Sequence, residues 1–325
     1  MTLRAPGSAL VPERRPAPSP GPGEVLLEVA ACGVCRTDLH LRDGDLPPVP
    51  LPVVPGHEVV GRVVARGPGA SRFSPGARVG VPWLGGTCGH CAHCVSGREN
   101  LCDEAVFTGY HRDGGFARYA TADERYCLAL PEAYDDLHAA PLLCAGLIGY
   151  RAYAMAPGAA RLGLYGFGAA AHLVAQVALA QGREVFAFTR PGDARSADFA
   201  RSLGCHWAGG SDERPPAPLD AALLFAPVGS LVPAALAACR KGATVVCAGI
   251  HMSDIPSFPY ALLWGERILR SVANLTREDG EAFMDIAART KLDARPVPYT
   301  LERANEALED LRRGAFDGAA VLTVR

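Results

Sequence analysis

Residues 161–181, RLGLYGFGAAAHLVAQVALAQ, decide the fold. An apolar run, Arg161–Tyr165, leads into Gly166-Phe167-Gly168-Ala169-Ala170-Ala171, and from 172 to 181 apolar residues recur at helical spacing. Strand, glycine turn and helix in that order are what a dinucleotide fold requires. The glycines permit a tight turn and a close backbone approach to a pyrophosphate, which then lies at the positive end of the helix. Ala171 takes the third motif position and is small enough for helix and strand to pack closely. Alone, such a turn could equally be a plain β–α connection, so its surroundings decide. Apolar strands follow at 184–189, 219–225, 243–247 and 268–272, each bracketed by helical or turn sequence. The fold class is α/β, with a doubly wound parallel sheet covered by helices.

The strand 184–189 bears on the choice of cofactor. A site selecting NAD usually ends this strand with Asp or Glu, which binds the ribose 2′-hydroxyl. Here it ends Thr189-Arg190, and a guanidinium attracts the 2′-phosphate that a carboxylate would repel. NADP(H) is therefore favoured, with NAD(H) as the alternative.

Earlier in the chain, residues 83–102 read WLGGTCGHCAHCVSGRENLC and set Cys88, Cys91, Cys94 and Cys102 at C-x2-C-x2-C-x7-C spacing. Four thiolates so close in sequence suit the closed tetrahedral shell of a structural Zn²⁺. Iron–sulfur spacings end differently. His90 and His93 lie inside this lobe and are expected to be solvated bystanders.

A chain of 325 residues accommodates two domains, and its 49% apolar and 20% charged content is that of a soluble globular protein. Lys plus Arg number 32 against 34 Asp plus Glu, so no strong field draws the chain to nucleic acid or to an anionic membrane. With no signal-peptide pattern and no apolar run long enough to span a bilayer, the expected compartment is the cytoplasm. Eleven cysteines fit metal ligands and buried thiols better than a disulfide framework.

Residues 1–24 offer no strand, and the first is expected at 25–31. It delivers the chain to Cys32-Gly-Val-Cys35-Arg36-Thr37-Asp38-Leu-His40. Cys32 and Cys35 form a C-x-x-C pair without the surrounding pattern of a redox motif. Pro55-Gly56-His57-Glu58 opens a strand at 59–65, Asp113-Gly114-Gly115 turns into a strand at 116–120, and a helical pattern runs from 135 through Cys144 to Gly146. The tail reads as a strand at 295–298, an amphipathic helix at 301–312 and a strand at 319–324.

Together GVCRTDLH, PGHEVVGRV, the four-cysteine lobe, FTGYHRDGGFARYATAD, PLLCAG and GFGAAAH resemble the zinc-dependent alcohol dehydrogenases of the medium-chain dehydrogenase/reductase family, closest to the bacterial and yeast-type branch. The resemblance implies a GroES-like β-rich catalytic domain at 1–146 with its zinc lobe at 83–102, a Rossmann domain at 147–290, a return to the catalytic domain at 291–325, and an active site between the domains. It implies Cys35, His57 and Cys144 as ligands of a catalytic zinc, with a fourth position left for exchange, so that the chain would hold two zinc ions, one catalytic and one structural.

By the same resemblance Glu58 lies near the metal, Asp38 orients the ligating imidazole, Thr37 takes the alcohol proton, and His40 passes it towards solvent. Arg36 contacts the cofactor pyrophosphate. Gly249, Ile250 and His251 follow a sheet strand, a position from which they are expected to border the nicotinamide. Trp83 walls the substrate pocket. Ile148, which stands where relatives carry Thr, and Leu84 join Trp83 in suggesting an apolar substrate pocket, and the N-terminus is shorter than the family's opening strand. The implied reaction is hydride transfer between a primary alcohol or aldehyde and the nicotinamide, in a homodimer or homotetramer. Polyol or amino-alcohol oxidation would use the same ligands. A zinc-stapled binding module would need a basic face with interleaved aromatics, and aromatics are only 7% of this chain.

Overall fold

Strand β1 (Glu24–Val34) organises the first part of the molecule. Along it Val25, Leu27, Val29 and Ala31 are fully buried and their neighbours half-buried, the period-2 pattern of a strand with one face on the core. From Ala31 to Val34 every residue is buried, and this is the end that delivers the site. The computed structural model describes residues 1–324. They fall into two units, residues 1–144 with those from 274 onward, and residues 145–273.

In chain order the first unit continues with helix α1 (Arg36–Asp43), strands β2 (Glu58–Arg66), β3 (Arg78–Val81) and β4 (Leu84–Gly86), and helix α2 (Ala92–Val95). Strands β5 (Val106–Phe107), β6 (Tyr119–Asp123) and β7 (Leu128–Ala129) and helix α3 (Asp136–Ala139) follow. Strand β1 pairs antiparallel with both β2 and β6. The strand expected at 116–120 begins only at Tyr119, because Phe116 turns inward, fully buried, with its amide bonded to the Pro55 carbonyl. The helix expected across 135–146 is broken. A 3-10 turn, Ala140–Leu143, carries Pro141, which cannot donate to an α-helical ladder, and Cys144 sits at φ −132°, ψ −68°, outside helical geometry.

The second unit opens with helix α4 (Ala145–Ala154) and strand β8 (Arg161–Tyr165), helix α5 (Ala169–Ala180), strand β9 (Glu184–Thr189) and helix α6 (Ala194–Ser202). Strands β10 (Trp207–Gly210) and β11 (Leu219–Leu224), helix α7 (Leu231–Ala238), and strands β12 (Cys239–Cys247) and β13 (Ile268–Ser271) complete it. All five pairings are parallel, in the order β10-β9-β8-β11-β12-β13. This is the Rossmann order, and it reverses between β8 and β11, where a dinucleotide binds. Strand β10 is not expected from the sequence. Across β8 and β9, Tyr165 and Phe188 stack with ring centroids 4.0 Å apart.

The chain then returns to the first unit through helix α8 (Arg277–Thr290), strand β14 (Pro296–Thr300), helix α9 (Ala304–Arg313) and strand β15 (Ala319–Thr323), giving a seven-stranded sheet ordered β14-β15-β1-β2-β3-β7 with β6 on β1. Helix α8, expected in the Rossmann domain, belongs here instead. Gly280 packs so near Leu128 that a Cβ would come within 3.0 Å of it, and the Tyr134 hydroxyl donates to the Ala287 carbonyl at 2.9 Å. Before β1 the chain forms only bridges, Thr2 with Val11 and Leu3 with Val53, with Leu3 fully buried. No helix among the described residues is long and apolar enough to cross a membrane.

Candidate functional site

Three separate segments of the first unit bring Cys35, His57, Glu58 and Cys144 together, with one donor atom from each lying within 4.8 Å of the others. Cys35 caps α1. Its sulfur accepts from the Thr37 amide at 3.3 Å, and Asp38 reciprocates by accepting from the Cys35 amide at 3.0 Å, which makes a capping box. His57 and Glu58 enter where β2 begins, and Cys144 sits in the break between the 3-10 turn and α4. His57 Nε2 is 3.0 Å from Cys35 Sγ, which is 3.8 Å from Cys144 Sγ. The other imidazole nitrogen, Nδ1, is buried without a hydrogen bond, 3.4 Å from Asp38 Oδ1.

Glu58 reaches the cluster because residue 33 is glycine. In the β1–β2 register Gly33 lies opposite Glu58, and a Cβ there would stand 1.7 Å from Glu58 Oε2. Gly33 heads the GVCRTDLH motif, but nothing in the motif says why that position is glycine. Only the register of two strands 25 positions apart reveals its role.

The electrostatics ask for a cation. Burial pushes the Glu58 and Asp38 carboxyls upward. The Cys144 thiol rises through its contact with Cys35 and then through burial, while Cys35, hydrogen-bonded by Cys144, falls. Burial works against charge on His57, but the negative charges of Cys35 and Asp38 outweigh it and raise its pKa. Two thiols, an imidazole and a carboxylate held in so small a dry space suit a divalent ion that neutralises them.

Around this cluster Thr37 is half-buried in the first turn of α1, Arg36 is exposed beside it, and His40 Nδ1 pairs with Asp45 Oδ2 at 2.9 Å. Trp83 stands edge-on to His57 with ring centroids 4.9 Å apart and stacks on Phe107 at the same separation. Tyr110 tilts against Trp83 at 5.5 Å. The sequence pointed to Trp83 alone; Phe107 and Tyr110 extend that aromatic surface.

In the lobe the sulfurs of Cys88, Cys91, Cys94 and Cys102 also lie within 4.8 Å of one another. Amides supply N–H···S contacts, Cys91 to the Cys88 sulfur at 3.4 Å and Cys94 to the Cys91 sulfur at 3.5 Å. The Thr87 hydroxyl, followed by the Gly89 amide, lowers the Cys94 thiol to about 7. These are conditions for thiolate ligation. Of the two histidines expected to be solvated, His90 is exposed, but His93 is half-buried with its Nδ1 enclosed and unpartnered. A third group, Cys88, His90 and Glu104, overlaps the lobe.

The second unit carries the features expected of a dinucleotide turn. Gly166 adopts φ +85°, and a Cβ there would come 2.7 Å from the Ala226 amide. Gly168 caps α5 without a side-chain hydrogen bond, and a Cβ at this position would meet nothing within 4 Å, so the helix start is an open cradle. Ala169 begins the helix, and Ala171 is fully buried against the sheet. Thr189 is buried, its hydroxyl donating to the Gly209 carbonyl at 3.2 Å, so of the pair Thr189-Arg190 only Arg190 is exposed to a ligand. Arg195, in the first turn of α6, joins Arg190 in acting on Asp193. Ile148 is half-buried in α4, and Gly249 and Ile250 follow β12 with Ile250 exposed.

Residues 21–132 match the alcohol dehydrogenase GroES-like domain. Over 315 residues, 94% of this chain and 90% of the relative, the sequence is 49% identical to a probable alcohol dehydrogenase, AdhA, of Mycobacterium tuberculosis. Among solved structures, acetophenone reductase from Geotrichum candidum in complex with NAD aligns with a TM-score of 0.89 at 27% identity, covering 99% of this chain and 96% of that one. The cobalt- and zinc-bound thermostable alcohol dehydrogenase from Pyrobaculum aerophilum aligns with a TM-score of 0.89 at 26% identity, covering 99% and 98%. Likeness of this extent, over a chain that carries both cysteine groups, places the protein among the zinc-type medium-chain alcohol dehydrogenases, as an NAD(P)-dependent enzyme acting on alcohols and aldehydes.

Proposed function

We propose that Cys35, His57 and Cys144 hold the catalytic zinc, that the four-cysteine lobe holds a second, structural zinc, and that the enzyme interconverts primary alcohols and aldehydes with NADP(H) preferred. The observation that carries this reading is the convergence of Cys35, His57, Glu58 and Cys144 donor atoms from separate segments within 4.8 Å. Two sulfurs and an imidazole leave a fourth position for exchange, which Glu58 enters only transiently, whereas the four sulfurs of the lobe leave none. When bound, the metal supplies Lewis acidity towards an alcohol oxygen and the nicotinamide supplies the hydride-accepting ring.

The chain's own residues do the rest. Asp38 faces His57 Nδ1 and so favours the tautomer whose Nε2 lone pair points at the sulfurs. Thr37 Oγ1 takes the hydroxyl proton of the substrate. His40, oriented by Asp45 at 2.9 Å from its Nδ1, passes the proton on towards solvent. Trp83, with Phe107 and Tyr110, gives the substrate an apolar aromatic wall.

The open start of α5 supplies a positive end for a pyrophosphate, and Gly249 and Ile250 flank the nicotinamide. Arg190 is exposed where an NAD-selective site would place a carboxylate. The edge strand β13, with Ile268 exposed and Tyr260 and Trp264 projecting nearby, supports a homo-oligomer joined through this sheet. A panel of alcohols and aldehydes assayed with both cofactors tests the reading. Higher kcat/KM with NADPH, reversed in Arg190→Asp, is the expected result, and a clear preference of the wild type for NADH removes the cofactor assignment.

A further inference from the structure

The lobe carries a second donor set that shares Cys88 with the first and adds two exposed side chains, His90 and Glu104, that neither the structural zinc nor the reaction uses. We propose that Cys88, His90 and Glu104 form an entry site where zinc is first captured and from which it passes to Cys91, Cys94 and Cys102. The proposal rests on the reading of the lobe as a zinc site. One donor atom from each of the three residues lies within 4.8 Å of the others, and Cys88 belongs equally to the four-sulfur group. His90 and Glu104 are exposed while Cys102 is buried, so an ion arriving from solvent meets the imidazole and carboxylate before the deepest sulfur.

The backbone of Cys88 fixes the His90 ring beside the lobe. Its Nδ1 lies 2.9 Å from the Cys88 carbonyl oxygen. A carbonyl can only accept, so Nδ1 donates to it, and Nε2 is the nitrogen left to offer a lone pair when the ring is neutral. Metal-binding imidazoles are commonly fixed by this kind of backbone contact. On the other side, the Ala105 amide donates to the Cys102 carbonyl at 3.1 Å, which holds the chain beside Glu104 at the rim.

Imidazole, carboxylate and thiolate are all ordinary ligands of zinc. Tetrahedral coordination brings such donors to about 3.5 Å from one another, so these side chains need close by only about 1 Å. Because Cys88 is common to both sets, it can keep its bond while Cys91, Cys94 and Cys102 replace the nitrogen and oxygen one at a time. Each of those thiols gives up its proton to solvent as its bond to zinc forms, and no redox change is involved.

A ligand used only on the way in has a kinetic signature that a structural residue lacks. Its loss slows uptake and release by the same factor and leaves the equilibrium affinity unchanged. The test uses the full chain stripped of metal under reducing conditions. Co²⁺ uptake is followed by the sulfur-to-cobalt charge-transfer absorption of the four-sulfur site, and Zn²⁺ release by transfer to a chromophoric chelator, in wild type, His90→Ala, Glu104→Gln and the double variant.

The proposal expects both rates to fall about tenfold in the double variant, the scale of effects from residues around a metal shell, with final stoichiometry, Kd and Tm of the loaded protein as in wild type. Unchanged rates overturn it, as does faster release with weaker affinity, which would mark a permanent supporting role. A wild-type lobe that binds no cobalt overturns the zinc reading and this proposal together. Normal binding with unchanged variant rates overturns this proposal alone.

Discussion

The two sulfur clusters of the first unit use the same side chain to opposite ends. In the lobe, all four ligands come from one short stretch, and backbone amides at 3.4 and 3.5 Å bond their sulfurs. At the other cluster the donors Cys35, His57 and Cys144 come from the residue before α1, the start of β2 and the break before α4, and they lie beside the buried Asp38 and Glu58. A shell completed within one loop closes a fold locally and leaves no position to exchange. A mixed shell assembled from distant segments needs the fold to be made first, and it leaves a coordination position for chemistry. On the proposed reading, what separates structure from catalysis here is the origin and mixture of the donors, since thiols are common to both.

The largest expected effect comes from Cys144→Ser. Turnover falls to background and metal analysis loses one zinc per chain, while thermal melting moves little because the lobe is intact. Near-normal activity in this variant would break the comparison outright. Cys102→Ser is the mirror experiment, expected to keep kcat/KM within a few-fold on freshly folded protein while Tm drops by about 10 °C, taking roughly 2–4 °C per kcal/mol for a unit of this size. Loss of activity with an unchanged Tm would assign the two clusters the other way round.

The smallest effect sharpens the comparison. Gly33→Ala places a methyl group 1.7 Å from Glu58 Oε2, so either the carboxylate leaves the cluster or the strands shift. Urea unfolding should show a loss of about 1–3 kcal/mol, the usual cost of overpacking. A variant as stable as wild type would mean that Glu58 swings away freely.

The contrast between local and assembled features also explains what could be read from the sequence. The lobe was legible because its ligands are neighbours in the chain and their spacing is itself the signal. The Rossmann sheet was legible because strands and helices alternate and Gly166 and Gly168 fall at the turn between them. Gly33 was not, since its importance depends on standing opposite Glu58 across two strands. Strand β10 was missed because WAGG has too few side chains to show a period.

Helix α8 reads as a regular amphipathic helix wherever it lies, and only its packing on Leu128 and Tyr134 assigns it to the first unit. The interruption at Cys144 was masked by helical sequence on both sides, although Pro141 was the available clue. His93 looked like His90 in the sequence, and burial alone tells them apart.

Crystallographic anomalous scattering at the zinc edge tests the central claim most directly. The account predicts two peaks per chain, one enclosed by the sulfurs of Cys88, Cys91, Cys94 and Cys102, the other bound by Cys35, His57 and Cys144 with one exchangeable position. A single peak in the lobe, or a second one whose every position is filled by protein, would contradict it.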